Sequence, residues 1–257
     1  MDRFAVSIIQ LDASESNARR NVERALDAAG SMSEMPNLLM LPELWTGSRA
    51  APGESRSALA SLSALCAARG IHAVAGTMPW PSGDGVANRA WAVDDLGRGY
   101  AFYDKVHLSS KEGENERFKP GCGAGIFDAG GVVCAVMTSY DMLFPEFHRP
   151  IALAGARIFF VASRWCDEAN GVWEITARAT AAWNQAFVVA CNRTGETEDG
   201  KFHGNSMIVS PSGDVLGRLG REEGVLSVLL DLGEIKRTRR NLSIESDRRS
   251  DIYTILS

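Results

Sequence analysis

The stretch MTSYDMLFPEF at 137–147 is typical of the end of a buried strand that runs into a sharp turn. The apolar run before the turn, VVCAVMT at 132–138, is long enough for a strand, and Phe-Pro-Glu at 144–146 opens the next element. An apolar strand that presents one small polar side chain at its tip is a common way to display a nucleophile. Ser139 is that side chain, so it either is the nucleophile or occupies the place of a stronger one.

The flanking sequence predicts alternating strands and helices that are interrupted by hairpins. Strands are expected at 4–11, 37–44, 71–78, 156–163, 187–193 and 224–232, and helices from Ser14 or Ser16 to Gly30 and at 54–70, 146–155 and 171–186. Hairpins are expected at 88–108, 125–139 and 205–219. This pattern favours a layered α/β fold with mixed sheets. Because no repeat or linker interrupts the pattern, residues 1–257 are predicted to form a single domain.

Composition argues against several functional classes. The net charge of -5 gives no reason to expect nucleic-acid binding, and the basic run KRTRRN at 236–241 is interpreted as a solvated helix face. The N-terminal sequence does not resemble a signal peptide and no apolar run approaches the roughly 20 residues of a membrane span, which favours the cytoplasm. The five cysteines are scattered, and neither they nor the histidines show metal-ligand spacing.

Reactive or charged side chains follow several of the predicted strands. Glu43 ends the run LLMLPE, Lys105 ends YAFYDK and Ser139 ends VVCAVMTS, while Arg164 and Trp165 follow IFFVAS. Ligands of α/β proteins bind at the carboxyl ends of strands. A single polar residue at such a place is common, because strands often end in polar residues. A base, a cation and a hydroxyl together favour a functional site, without identifying its reaction.

Three segments closely resemble the motifs of the nitrilase superfamily, the carbon–nitrogen hydrolases: LLMLPEL at 38–44, YDKVHL…GENERFKPG at 103–121 and SYDMLFPE at 139–146. The resemblance covers nearly the whole chain, from Gln10 to DRRSDIY at 247–253. The family uses a Glu-Lys-Cys triad without a metal or an organic cofactor. The resemblance therefore implies Glu43 as the general base and Lys105 as the triad lysine. It places Ser139 where the family has its cysteine.

The resemblance also implies roles for the groups around the triad. A second carboxylate follows the lysine in the family, which implies Glu114, with Glu112 and Glu116 as less favoured alternatives. The ammonium of Lys105 and the backbone N–H of Tyr140 are expected to bind the oxyanion of a tetrahedral intermediate. We expect the substrate pocket to be lined by Trp45, Thr46, Met142, Phe144, Arg164 and Trp165. Arg164 either holds a substrate carboxylate or pairs with a neighbouring side chain.

Serine at position 139 is expected to reduce turnover strongly. A thiol has a pKa of about 8.5 and is a strong nucleophile, whereas a serine hydroxyl is far less acidic and a carboxylate is a poor base for it. Because the base and the lysine are intact, the sequence favours a deliberate Cys-to-Ser replacement over natural loss. A true serine hydrolase would use Lys105 as its base. That alternative requires a neutral lysine, which Glu43 and Glu114 disfavour.

The family fold is a four-layer α-β-β-α sandwich, and the resemblance implies the same fold here. Stacking into αββα-αββα on dimerisation is also expected, with the helix after Pro145 and the helix around Trp173 in the interface of a homodimer or a higher even oligomer. The implied activity is hydrolysis of a small carboxamide, which is either an ω-amide of a dicarboxylic or keto acid or an aliphatic amide. The alternatives are an N-carbamoyl amidohydrolase, a nitrilase and a non-catalytic binding protein that retains the pocket.

Neighbouring residues are expected to have other roles. Cys166 lies near the predicted site but outside the nucleophile position, His107 is expected to make a structural hydrogen bond, and His203 is expected in a loop. The helix sequence RATAAWNQ at 178–185 departs from the family's RARAIENQ, because Thr180 and Trp183 replace an arginine and an acidic residue. This departure weakens any transfer of interface or pocket contacts from that helix.

Overall fold

Two mixed β-sheets form the centre of the molecule, in a computed structural model that describes residues 2–166 and 170–253. The strands are β1 (Arg3–Gln10), β2 (Leu38–Met40), β3 (His72–Ser82), β4 (Gly85–Val93), β5 (Gly99–Asp104), β6 (Gly125–Ala129), β7 (Val132–Thr138), β8 (Ile158–Ser163), β9 (Phe187–Asn192), β10 (Thr194–Thr197), β11 (Gly200–His203), β12 (Met207–Val209), β13 (Val215–Arg218) and β14 (Gly224–Asp231). The strand order is β14-β1-β2-β3-β4-β5 in the first sheet and β13-β12-β9-β8-β7-β6 in the second. Three neighbouring strands are parallel in each sheet: β1, β2 and β3 in the first and β7, β8 and β9 in the second. Antiparallel strands flank each of these parallel blocks.

Helices cover the outer face of each sheet. The described helices are α1 (Ala18–Gly30), α2 (Pro52–Arg69), α3 (Glu114–Arg117), α4 (Pro145–Leu153), α5 (Asn170–Asn184), α6 (Gly233–Asn241) and α7 (Ser250–Tyr253). α1 and α2 pack on the first sheet, and α4 and α5 pack on the second. The predicted α-β-β-α sandwich is therefore confirmed. Within the described ranges, no helix is long and apolar enough to cross a lipid bilayer.

The two-residue period of the strands divides the core into layers. On β8, Ile158 and Phe160 pack between the two sheets, whereas Phe159 and Val161 pack against the layer that contains α4 and α5. On β1, Ile9 packs against the layer that contains α1 and α2. Central strands are thus buried on both faces, which explains why their sequences are continuous apolar runs.

Two local features differ from the prediction. Asn17 caps α1, rather than Ser14 or Ser16, because its side-chain oxygen accepts the backbone N–H of Arg20 at 3.0 Å. The polar sequence GETEDGKFH at 195–203 carries no strand signal, yet it forms most of the hairpin β10–β11. The basic run KRTRRN lies on α6, as predicted.

Candidate active site

The carboxyl ends of strands in both sheets converge at one edge of the sandwich. Glu43 follows β2, Lys105 follows β5 and Ser139 follows β7. β5 runs in the same direction as β2, because β3 is parallel to β2 and two antiparallel pairings lead from β3 to β5. The backbone N–H of Glu43 donates to the carbonyl of Ser163 at the end of β8, at 3.3 Å, and this bond connects the two sheets.

Lys105 is the centre of a buried ion cluster. Its Nζ lies 3.0 Å from Glu43 Oε1 and 2.8 Å from Glu114 Oε1. All three side chains are buried. Glu114 is therefore the second carboxylate in contact with the lysine, whereas Glu112 and Glu116 are both exposed.

Backbone and amide groups hold the two carboxylates of the cluster in place. Glu43 Oε1 accepts a hydrogen bond from Asn88 Nδ2 at 2.8 Å, and Glu43 Oε2 accepts one from the backbone N–H of Arg164 at 3.1 Å. Glu114 Oε2 accepts the backbone N–H of Ser109 at 2.8 Å. Each carboxylate therefore has a fixed orientation, with one oxygen directed at the lysine.

The electrostatics of the cluster suit a basic carboxylate beside a permanent cation. Burial raises the pKa of Glu43, and this effect outweighs the opposing charge of Lys105. Burial alone would lower the pKa of Lys105, but the charges of Glu43 and Glu114 outweigh it, so the pKa of the ammonium is raised. A raised carboxyl pKa makes a stronger general base. A lysine that stays charged can donate hydrogen bonds to an oxyanion but cannot act as a base.

Ser139 lies at a strained turn between β7 and the 3-10 turn Ser139–Leu143. Its φ of 46° is in the left-handed region, which costs a non-glycine residue on the order of 1–3 kcal/mol. Asp141 fixes this turn, because its Oδ2 accepts the backbone N–H of Thr138 at 2.8 Å and the hydroxyl of Tyr103 at 2.6 Å. The side chain of Ser139 is thereby held at the strand tip, as the sequence predicts.

His107 makes the structural hydrogen bond expected of it. Its backbone N–H donates to Asp141 Oδ1 at 3.0 Å, and its Nδ1 lies 2.9 Å from the same oxygen. The imidazole also stacks on the ring of Phe144, with the two centroids 3.8 Å apart. His203 lies on β11 and is buried, rather than in a loop.

A cavity of about 610 Å³ opens at this edge. Lys105, Ser139, Tyr140 and Trp165 line it, so four residues predicted for the site meet there. Cys166 lines the same cavity. The lysine of the ion cluster and the hydroxyl at the nucleophile position therefore face one solvent-accessible space.

Comparison with known proteins assigns the family. A model of the carbon-nitrogen hydrolase family matches residues 5–240. The chain belongs to the carbon–nitrogen hydrolase family. This hydrolase is 32% identical over 258 residues to a 2-oxoglutaramate amidase of Bacillus subtilis (strain 168), an alignment that covers 98% of this chain and 100% of the relative. The resemblance to the nitrilase superfamily is thus confirmed.

Solved structures show the same fold. A carbon-nitrogen hydrolase from Helicobacter pylori G27 superposes on this hydrolase with a TM-score of 0.91 at 22% identity, over 99% of this chain and 98% of the other. A mutant of the amidase from Nesterenkonia sp. AN1 superposes with a TM-score of 0.86 at 27% identity, over 98% of this chain and 95% of that one. In that amidase the acetamide moiety of fluoroacetamide is covalently added to the active-site cysteine.

Five of the six predicted pocket walls lie elsewhere in this hydrolase. As far as the described residues define the cavity, Trp165 lines it, whereas Trp45, Thr46, Met142, Phe144 and Arg164 do not. Trp45 is buried against the α1–α2 layer and its Nε1 donates to the carbonyl of Ala75 at 2.6 Å. Met142 packs in the layer of α4 and α5. Both side chains turn into the core, although Leu143, the residue after Met142, lines the cavity.

Arg164 forms a salt bridge instead of facing the cavity as a free cation. Its Nη2 lies 3.1 Å from Oδ2 of Asp199, which is at the tip of the hairpin β10–β11. Asp199 Oδ2 also lies 3.6 Å from Arg117 Nη1 on α3. The two arginines lower the pKa of Asp199 despite its partial burial. Of the two alternatives for Arg164, the structure shows the salt bridge to a neighbouring side chain. Its partner, Asp199, was not identified from the sequence.

Three further residues support the site without any clear sequence signal. They are Asn88, Asp141 and Asp199. Asn88 had the best chance of being found, because it is a polar residue inside a predicted strand and is completely buried. It contacts the base through its side chain, and its carbonyl accepts the backbone N–H of Lys105 at 3.0 Å. A polar residue inside a predicted strand is thus a weak sequence signal for such a positioning role, and its burial in the structure makes the role plain.

Proposed function

We propose that the site of this carbon–nitrogen hydrolase is built to cleave a small carboxamide to a carboxylate and ammonia, and that Ser139, in the place of the family's cysteine, impairs that turnover in this chain. The observation that carries the proposal is the Lys105 ammonium, held between Glu43 and Glu114 in the cavity that Ser139 also lines. The similarity to a 2-oxoglutaramate amidase supports an ω-amide of a keto or dicarboxylic acid as the substrate. The covalent adduct in the Nesterenkonia amidase supports a cysteine nucleophile.

The proposed mechanism assigns one task to each group. With a thiol at position 139, sulfur attacks the amide carbon while Glu43 accepts the thiol proton. The tetrahedral oxyanion accepts hydrogen bonds from Lys105 Nζ and from the backbone N–H of Tyr140. Glu43 then delivers its proton to the departing ammonia. Water, deprotonated by Glu43, hydrolyses the thioester and releases the carboxylate, while Glu114 holds Lys105 in position.

Serine at position 139 supports a second candidate, a binding protein that retains the pocket without turnover. A hydroxyl has no strong base beside it here, since Glu43 is a carboxylate and Lys105 remains charged. The same charge disfavours a serine hydrolase that uses Lys105 as its base. Binding without hydrolysis is therefore the expected behaviour of the chain as it stands.

Ammonia release by this chain and by its Ser139→Cys variant tests the proposal. The panel contains ω-amides of dicarboxylic and keto acids, aliphatic amides, N-carbamoyl acids and nitriles. Ser109→Cys is the matched control, because Ser109 lines the same cavity but lies outside the nucleophile position. We expect turnover from Ser139→Cys alone. If the folded Ser139→Cys variant hydrolyses nothing in the panel, hydrolysis is refuted and binding becomes the better account.

We also propose that residues 1–257 act as one domain and associate as a homodimer or a higher even oligomer through α4 and α5. An exposed apolar face on α5 supports this, since Ile175 is 69% and Trp183 is 48% exposed, and residues eight apart lie on one side of a helix. Light scattering of the parent and of Trp183→Glu tests it. The proposal requires a dimer that the charge weakens, and a monomeric parent would contradict it.

A further inference from the structure

Two lysines beside the cavity carry positive charge that the proposed chemistry does not use. Lys111 lies in the loop after Lys105, and Lys201 lies on β11. Both residues line the cavity and are exposed. Among the described residues, neither ammonium forms a salt bridge. A cation that faces a pocket without a partner is available to an anionic ligand.

The other charged side chains that the structure describes in the cavity lining are paired within the protein, with one exception. The Lys105 ammonium is shared by its two carboxylates, and Asp199 pairs with Arg164 at 3.1 Å. Arg164 is therefore occupied and is a poor candidate for holding a substrate carboxylate. The exception is Glu112, an exposed acid on the lining that forms no salt bridge within the described ranges. Among the described residues of the rim, the two lysines outnumber Glu112, so this part of the rim has a net positive charge.

Apolar side chains complete the lining. Leu143, Trp165 and Val172 face the same cavity as Ser139 and the two lysines. This surface suits a short methylene chain, because burial of apolar surface away from water is favourable. The cavity thus combines a reaction centre, an apolar wall and a cationic rim. An amide with a carboxylate at its far end is complementary to all three.

We propose that Lys111 and Lys201 bind the distal carboxylate of the substrate and thereby select anionic ω-amides over neutral amides of equal length. The proposal rests on the proposed function, because it assumes that the amide group lies at Ser139. Glu112 opposes the carboxylate from the same rim. Removing a lysine and removing Glu112 must therefore change the affinity for an anionic amide in opposite directions.

Binding to the chain as it stands tests the proposal, since Ser139 is expected to leave the substrate intact. Calorimetry compares glutaramate with pentanamide, which has the same number of carbons and no charge. We expect Lys111→Met and Lys201→Met each to weaken glutaramate binding by about three- to tenfold without changing pentanamide binding. Glu112→Gln should tighten glutaramate binding by about twofold, and high salt should shrink every difference.

Lys119→Met is the matched control, because Lys119 pairs with Asp84 outside the cavity lining. This variant should bind both ligands as the parent does. Equal binding of glutaramate and pentanamide by the parent overturns the proposal while leaving the amide-binding function intact. So does equal weakening of both ligands in the lysine variants. Failure of the proposed function gives a different result, in which neither amide binds and Ser139→Cys releases no ammonia. That result overturns both the proposed amide hydrolysis and the role of the two lysines.

Discussion

Replacing Lys105 by methionine tests whether the buried ion cluster stabilises the site. The substitution keeps most of the unbranched side chain and removes the charge between Glu43, which is 0% exposed, and Glu114, which is 4% exposed. Two buried carboxylates then remain without their cation. Removing one partner of a buried ion pair costs about 3–5 kcal/mol. Since about 1 kcal/mol corresponds to roughly 2 °C in a chain of this size, the expected fall in Tm is about 6–10 °C.

The decrease in the free energy of unfolding caused by Lys105→Met must also depend on pH. Burial already raises the pKa of Glu43, and loss of the Lys105 charge removes an effect that lowers it, so the pKa of Glu43 rises further. A carboxyl with a folded-state pKa above its unfolded value binds protons more tightly in the folded state. Its contribution to stability is therefore present at low pH and is lost as the pH rises through the folded-state pKa. The variant should lose less stability at pH 5 than at pH 8.

Urea unfolding followed by circular dichroism at pH 5 and pH 8 measures this cost. Lys119→Met is the control, since its Nζ lies 3.3 Å from Asp84 and both side chains are exposed, and it should change the free energy of unfolding by less than about 0.5 kcal/mol. Glu114→Gln should cost less than Lys105→Met, because the Lys105–Glu43 pair survives. A cost of Lys105→Met below about 1 kcal/mol at pH 8, or one that is equal at both pH values, would refute the reasoning.

Three further substitutions test individual contacts by urea unfolding. Asp141→Asn directs an amide donor at groups that donate to Asp141, so it should lower the free energy of unfolding by about 2–3 kcal/mol; an unchanged midpoint contradicts this. Burial lowers the pKa of His148 to about 4 from 6.5, so the unfolded state binds more protons and stability should fall by about 3 kcal/mol as the pH drops between these values. His148→Phe should flatten that part of the profile, and an equally steep profile argues against the assignment. Asp199→Asn removes the carboxylate beside Arg164 and should cost about 1 kcal/mol after allowance for solvent screening; a more stable variant contradicts it.

The sequence was sufficient to locate the proposed site residues that lie at strand ends. Glu43, Lys105 and Ser139 each follow an apolar run, and the motif around each of them is specific. Asn88 and Asp199 were not predictable in this way. Asn88 contacts Glu43 across 45 positions, and this contact depends on how β2, β3 and β4 pair. Asp199 lies on a hairpin whose polar sequence has no strand periodicity.

Proximity in sequence misled the prediction of the pocket walls. Trp45 was expected there because it follows the base by two residues. Leu44 between them has a φ of 49°, and this left-handed residue turns the chain so that Trp45 enters the core. Such a turn depends on tertiary contacts, including the bond from the backbone N–H of Leu44 to Thr77 Oγ1 at 2.9 Å. The layered fold was easier to predict, because burial on two faces leaves continuous apolar strands in the sequence.

Direct detection of the acyl intermediate tests the central claim, that position 139 is the nucleophile of a Glu43–Lys105 site. The Ser139→Cys variant is mixed with glutaramate, quenched in acid and examined by intact-mass and peptide mass spectrometry. The account predicts an acyl group on the substituted residue, which is lost when Lys105→Met is added. Absence of any adduct while ammonia is released, or an acyl group on Cys166 instead, would contradict it.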